Sequence, residues 1–212
     1  MLGLIGKKVG MTQIFDASGI KRAVTVIQAG PCVVVNKKEK AKCGYDAVQL
    51  GFEEYNNKRI PKPLQGHFQK AGVKPCRVLK EFRIGQEDNL KVGDVINVSI
   101  FKDTRYVDIT GITKGRGFQG VVKRHRMGGG PASHGSMAHR RIGAAGQRAK
   151  PGRIHKGKRM PGHMGQNKVT IQNLEVLEIR PDDNLLIVAG AVPGPSGGIV
   201  LVRKAIKKVG RE

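Results

Sequence analysis

The sequence predicts a mainly β protein, a barrel or sandwich of many short strands, interrupted by a long basic insert. Two observations carry this reading. Short β-branched runs recur with turn residues between them, several alternating apolar and polar residues as a half-buried strand does. Positive charge, by contrast, collects in one internal stretch that has no sustained period of either kind. Before that stretch the strand candidates are Ala23–Ile27, Cys32–Val35, Ala47–Leu50, Val95–Phe101 and Tyr106–Ile109. After it they are Val169–Gln172, Leu174–Ile179, Leu185–Val188 and Ile199–Val202. Turns are expected at Ala17–Gly19, Gly30–Pro31, Pro181–Asn184 and Pro193–Gly198. Short helices are expected at Pro63–Ala71 and in the tail near Ala205, and no internal repeat is present.

Charge then divides the chain. The 212 residues hold 39 Lys+Arg against 16 Asp+Glu, a net of +23. Such an excess repels itself unless a polyanion neutralises it. Residues 109–174 contain no Asp or Glu, yet hold 14 Lys+Arg, five of the six His and 14 of the 30 Gly. Gly128–Pro131 and Pro151–Gly152 break helices there, and apolar residues are too sparse for a core. A structureless run of this length inside a compact domain is improbable. It reads instead as an excursion: residues 1–110 and 169–212 form the globular β domain, and residues 111–168 form an arm. Without a partner such an arm has little to offset the entropy of ordering.

Several functions are argued against. No apolar run approaches the roughly 20 residues a membrane span needs, and the opening Met1–Lys8 is too short for a signal peptide. Secretion and membrane insertion are therefore not expected. Cys32, Cys43 and Cys76 are odd in number, widely spaced and never in a Cys-x-x-Cys pair, which suits reduced bystander thiols in cytoplasm. Gly115-Arg116-Gly117-Phe118-Gln119-Gly120 matches a dinucleotide pattern literally, but the acid that should follow about 20 residues on is missing. His125, His134, His139, His155 and His163 have no metal-ligand spacing and no carboxylate co-ligands, so no metal is expected. Ser133 and Ser136 lie near His134 and His139 without an orienting acid, so no catalytic residue is assigned. Neither a cofactor nor a small-molecule substrate is expected.

What remains is recognition of a folded RNA. The insert mixes its cations with Gly and Pro, and Arg, with its planar bidentate fork, supplies eight of the 14. No amphipathic recognition helix for duplex DNA is visible. The candidate RNA-binding residues are Lys114, Arg116, Lys123, Arg124, Arg126, Arg140, Arg141, Arg148, Lys150, Arg153, Lys156, Lys158, Arg159 and Lys168. His134, His139, His155 and His163 join them as imidazoles that stack on bases or bond phosphates. Gly115, Gly117, Gly120, Gly143, Gly146 and Gly152 are candidate points of close backbone approach or sharp turning. His67, outside the insert, reads as a local structural residue.

Phe101, Asp108, Gly111, Thr113, Gly115-Arg116-Gly117, Gly120 and Arg124 together resemble the signature of the large-subunit ribosomal protein three family. The resemblance extends through Gly3–Thr12, Gly66–Gly72, Lys156–Gly165 and Gly190–Gly194, in the family's order and at the length of its bacterial form. It implies a closed β-barrel of the type shared with translation factors, on the outer surface of the large subunit. It also implies a central extension running through 23S-type RNA toward the peptidyl transferase centre, its deep part matching Met127–Gly152. Changes in that part are expected to disturb the A-site side of the centre and the response to drugs bound there. Binding near the RNA's 3′ end, early nucleation of assembly, neighbouring large-subunit proteins as partners and a place in the cytoplasmic ribosome follow from the same resemblance. Two departures are visible. Some bacterial members carry a side-chain-methylated glutamine where this chain has Ala149, so modification at that position is impossible, and Gln147 stands two residues earlier. The family's Trp-Asn-Phe reads His125-Arg126-Met127 here, exchanging stacking surface for charge. A free RNA chaperone or assembly factor that leaves the mature particle is the alternative, and a nucleic-acid enzyme the remote one.

Overall fold

A computed structural model describes residues 2–16, 19–55, 60–85 and 90–208. The chain divides into two units, residues 1–112 with 168–212, and residues 113–167. The first unit is mainly β. In chain order its elements begin with β1 (Gly3–Phe15), β2 (Lys21–Ala29), β3 (Cys32–Lys38), α1 (Lys40–Cys43), β4 (Ala47–Glu54) and α2 (Lys62–Ala71). They continue with β5 (Cys76–Arg83), β6 (Val95–Ile96), a 3₁₀ turn at Val98–Phe101 and β7 (Tyr106–Ile112). Beyond the second unit, which contributes β8 (Phe118–Gln119), α3 (Val121–His125) and β9 (Gly162–His163), come β10 (Lys168–Arg180), β11 (Leu185–Ala189) and β12 (Ile199–Lys204).

Six of these strands form a ring of antiparallel pairings in the order β1, β12, β7, β10, β11, β2 and back to β1. Gly3 pairs with Arg203, Val202 with Ile109, Val169 with Gly111, and Leu186 with Ile27. The β-branched runs supply the inward residues: Val24, Ile27, Val107, Ile109, Leu186, Val188, Val200 and Val202 are all buried. Burying one such side chain stabilises by about 1.5–3 kcal/mol. A second sheet, in the order β5, β4, β3, β6, packs Val34, Val48, Leu50, Phe82 and Ile96 into the same core cluster. Gly3 is where the two meet closely. A Cβ there would lie 2.5 Å from the Val202 carbonyl and 2.7 Å from a Phe82 ring carbon, so any larger residue must displace backbone.

The expected helix at Pro63–Ala71 is α2, whose Phe68 is buried against Val35 and Cys76. His67 is structural, its Nε2 2.8 Å from Gln49 Oε1 and its ring edge-on to Phe68. Cys32 and Cys76 are buried free thiols, and burial pushes the Cys32 thiol up to about 12.

Four expectations need correction. The tail at Ala205 is not helical; its N–H instead donates to the Tyr106 carbonyl at the end of β12. Val95–Phe101 is not one strand, because Val98–Phe101 turns inward as a 3₁₀ segment that buries Val98 and Phe101. Val169–Gln172 and Leu174–Ile179 are one strand, β10, interrupted by a register shift between Ile171 and Leu174 where Asn173 has φ +58°. Strands β1 and β5 were not expected at all. The turn expected at Ala17–Gly19 falls largely on residues outside those described.

Candidate nucleic-acid interface

Residues 113–167 are not wholly irregular, contrary to the sequence expectation. At their two ends the legs lie antiparallel. Thr113 N–H donates to the Asn167 carbonyl at 2.9 Å, Arg116 N–H to that of Met164 at 2.9 Å, and Met164 N–H to that of Gly117 at 2.9 Å. β8 and β9 continue this ladder, with Phe118 opposite His163. Helix α3 then buries Val121. Its Arg124 guanidinium donates to the Met160 carbonyl at 2.6 Å, and His125 Nε2 lies 3.1 Å from the same oxygen. A third closure ties residues 129–141. Gly130 N–H donates to the His139 carbonyl at 2.8 Å, and His139 Nδ1 lies 3.2 Å from the Pro131 carbonyl. Gly129 has φ +78°, and a Cβ there would sit 2.5 Å from the His139 oxygen, so this turn requires glycine.

The cations point elsewhere. Lys114, Arg116, Lys123, Arg126, Arg140, Arg141, Arg148, Lys150, Arg153, Lys156, Lys158 and Arg159 are all exposed, as are His134, His139, His155 and His163. Arg124 alone among the arm's predicted contacts is half-buried and spent on the unit's own structure. Lys168 is exposed too, but stands on β10 opposite Ile112. Of the predicted close-approach glycines, Gly117, Gly143 and Gly152 have positive φ, and Gly115 and Gly120 face open space. Gly146 lies in ordinary contact distance of Arg153 and Ile154.

Electrostatics separates the two units. In the first, 26 Lys+Arg stand against all 16 Asp+Glu, and several carboxylates are ion-paired: Glu53 with Lys7 at 2.9 Å, Glu81 with Lys38 at 2.7 Å, and Glu175 with Arg22 at 3.2 Å. Hydrogen bonds from Lys7 and Lys38 hold the Glu53 and Glu81 carboxyls below the usual range. In residues 113–167 no such pairing can arise, because the sequence there contains no carboxylate. Twelve exposed Lys and Arg thus share one small unit with no internal counter-charge. That arrangement has the chemistry of a phosphate-binding surface.

Two features escaped the sequence reading. Phe118 is 77% exposed, and it is the only Phe, Tyr or Trp between residues 109 and 174, a signal that was present but absorbed into the glycine motif. The Arg124–Met160 lock spans 36 residues and leaves no local trace. Among the described residues, no group of three or more His, Cys, Asp or Glu gathers as a metal site would need, and no helix is long and apolar enough to cross a membrane.

A β ring of mixed charge carrying an acid-free basic insert has the composition of a polyanion-binding protein. Comparison with known proteins narrows it. A family model described as Ribosomal protein L3 matches residues 67–184. The Large ribosomal subunit protein uL3 of Thermotoga petrophila is 52% identical over 202 residues, covering 95% of this chain and 96% of its own. Proteins of the same name from Pelotomaculum thermopropionicum and Deinococcus radiodurans are 51% and 52% identical, each over 98% of this chain, covering 99% and 96% of their own lengths. The chain belongs to the ribosomal protein L3 family. That is a family of ribosomal components of translation, not of enzymes.

Proposed function

We propose that this chain is a structural constituent of the large ribosomal subunit, and that residues 113–167 are the part that enters its 23S-type RNA. The six-stranded ring acts as a closed barrel of the translation-protein type and anchors the chain at the particle's surface. The basic arm runs toward the peptidyl transferase centre. Binding near the 3′ end of the RNA early in assembly lets the chain nucleate the particle, with neighbouring large-subunit proteins packing against the barrel.

The observation that carries this reading is the set of exposed cations in a unit without a single carboxylate. Each cation that meets a phosphate releases counterions, and the entropy gained drives binding. The arm's mixture of Arg, His and positive-φ glycines suits irregular RNA crevices, where shape and phosphate spacing are read without a groove-reading helix. The test is binding of the full chain to large-subunit RNA, followed by hydroxyl-radical footprinting. Substituting Arg148, Lys150 and Arg153 by Gln should erase only the footprint near that part of the arm; an unchanged footprint overturns the assignment. Sedimentation of the particle at high salt separates a constituent, which stays bound, from an assembly factor, which leaves.

A further inference from the structure

The 113–167 unit contains a pocket of about 610 Å³, lined by Val121, Met137, Ala138, Ile142 and Pro161, with Gly120 and Gly143 at its edges and Arg140 and Arg141 beside it. We infer that this pocket takes one unstacked nucleobase of the bound RNA, with Arg140 and Arg141 holding the adjoining phosphates. The inference rests on the RNA-binding reading above and names what that reading leaves open, a point where a base rather than the backbone is held.

Four observations support it. The walls are mostly apolar side chains, although the unit around them is strongly basic, and Met137 is 87% exposed on the rim. An apolar wall suits the face of a base, and a polarizable thioether packs well against an aromatic ring. The volume falls within the roughly 300–1,000 Å³ of small-ligand sites, so a base fits with part of its sugar. Both guanidiniums beside it are exposed, and no carboxylate exists in the unit to claim them, so the rim selects a ligand that is flat, apolar on its faces and anionic at its connections. The pocket is also braced: Arg141 N–H donates to the Ala138 carbonyl at 2.6 Å, and Val121 behind it is buried. An amphipathic peptide would find the apolar wall but would bring no charge to pair with both arginines without acidic residues of its own.

The test uses the full chain bound to large-subunit RNA, read two ways at once. Hydroxyl-radical cleavage reports backbone protection, and base-specific alkylation reports exposure of Watson–Crick edges. The wild-type complex should protect one nucleotide's base in a region where the RNA is otherwise unpaired. Ala138→Phe, which fills the pocket without changing charge, should restore reactivity at that nucleotide alone and weaken binding by about tenfold, the worth of one base held by stacking. Ile142→Ala, which removes apolar wall instead of adding bulk, should expose the same base and guards against misfolding of the first variant. If the backbone footprint persists in both variants and no base changes reactivity, the pocket holds no base and the RNA-binding reading stands. If the wild-type chain gives no backbone footprint, both fall.

Discussion

Asn173 donates its backbone N–H to the carboxylate of Asp108 at 2.8 Å, across the one irregularity in the β7–β10 ladder. Asp108 is the last acid before the insert and is itself buried, while Asn173 sits within the first strand after it, at the register shift, with φ +58°. The extra residue in β10 leaves a backbone N–H unpaired in the ladder, and the aspartate satisfies it. Asp108→Ala should therefore cost the full chain about 1.5–3 kcal/mol, the worth of a charge-assisted bond plus an orphaned donor. Asp108→Asn, which keeps an accepting oxygen, should cost less. Urea denaturation of the three proteins checks the ordering; equal stability would show that water replaces the carboxylate.

Ile112 and Lys168 are register partners, so the two points where the insert leaves and rejoins the ring already face each other. Replacing residues 113–167 with a short Asn-Gly turn should leave a cooperative ring fold and greatly weaken RNA binding. Thermal melting and filter binding measure the two effects separately. Retained affinity would place the RNA contacts on the ring instead.

Binding should weaken steeply with salt. If about half of the 14 cations between residues 109 and 174 meet phosphates, the slope of log K against log salt is roughly −5, at about 0.7 per contact. Titration over a threefold range of salt determines it. A slope near −1 would mean that the exposed cations are largely solvated.

Arg124 and Arg148 should behave differently despite similar places in the sequence. Arg124→Ala removes the donor to the Met160 carbonyl, so hydrogen exchange should quicken around residues 121–125 and 160–164 even without RNA. Arg148→Ala, at an exposed position, should leave that exchange unchanged and alter chemical probing of the RNA near the far part of the arm. Neither should shift the melting of the ring.

Acid should destabilise the ring modestly. The Glu53 and Glu81 carboxyls are lowered by Lys7 and Lys38, so their contribution is complete above the unfolded carboxylate range near about 4.3 and is lost as pH falls through the lower folded values. Both pairs are substantially exposed, so the effect is small and screened by salt. The double variant Glu53→Gln/Glu81→Gln should flatten the dependence of urea midpoint on pH between roughly 5 and 3. An unaltered dependence would assign the acid sensitivity to other carboxylates.

The strands that were legible beforehand are those whose apolar residues are β-branched and consecutive or alternating, as in β2, β3, β11 and β12. β1 and β5 were illegible for a common reason. Lys7 and Lys8 interrupt one, and Lys80, Glu81 and Arg83 the other, yet most of these charges find partners once folded. Lys8 is buried with its Nζ 2.8 Å from the Val192 carbonyl, and Glu81 pairs with Lys38. Pairing of this kind depends on residues remote in sequence and leaves no local period. The same holds in the insert. Its charge and glycine content raise the expectation of a polyanion ligand, but α3, the Arg124 lock and the apolar pocket each rest on contacts between its two legs. Composition speaks to the ligand's class; only the closure of the legs says which cations are free to meet it.

The pairing of Gly3 with Arg203 sets an order on synthesis. The first strand of the ring emerges early and has to wait for the last, which leaves the exit tunnel only after the basic insert has done so. In that interval the insert is already in solution while β1 still lacks one neighbour, and long-range closure of this kind is intrinsically slow. A growing chain therefore presents its positively charged segment to solvent before its own body has sealed.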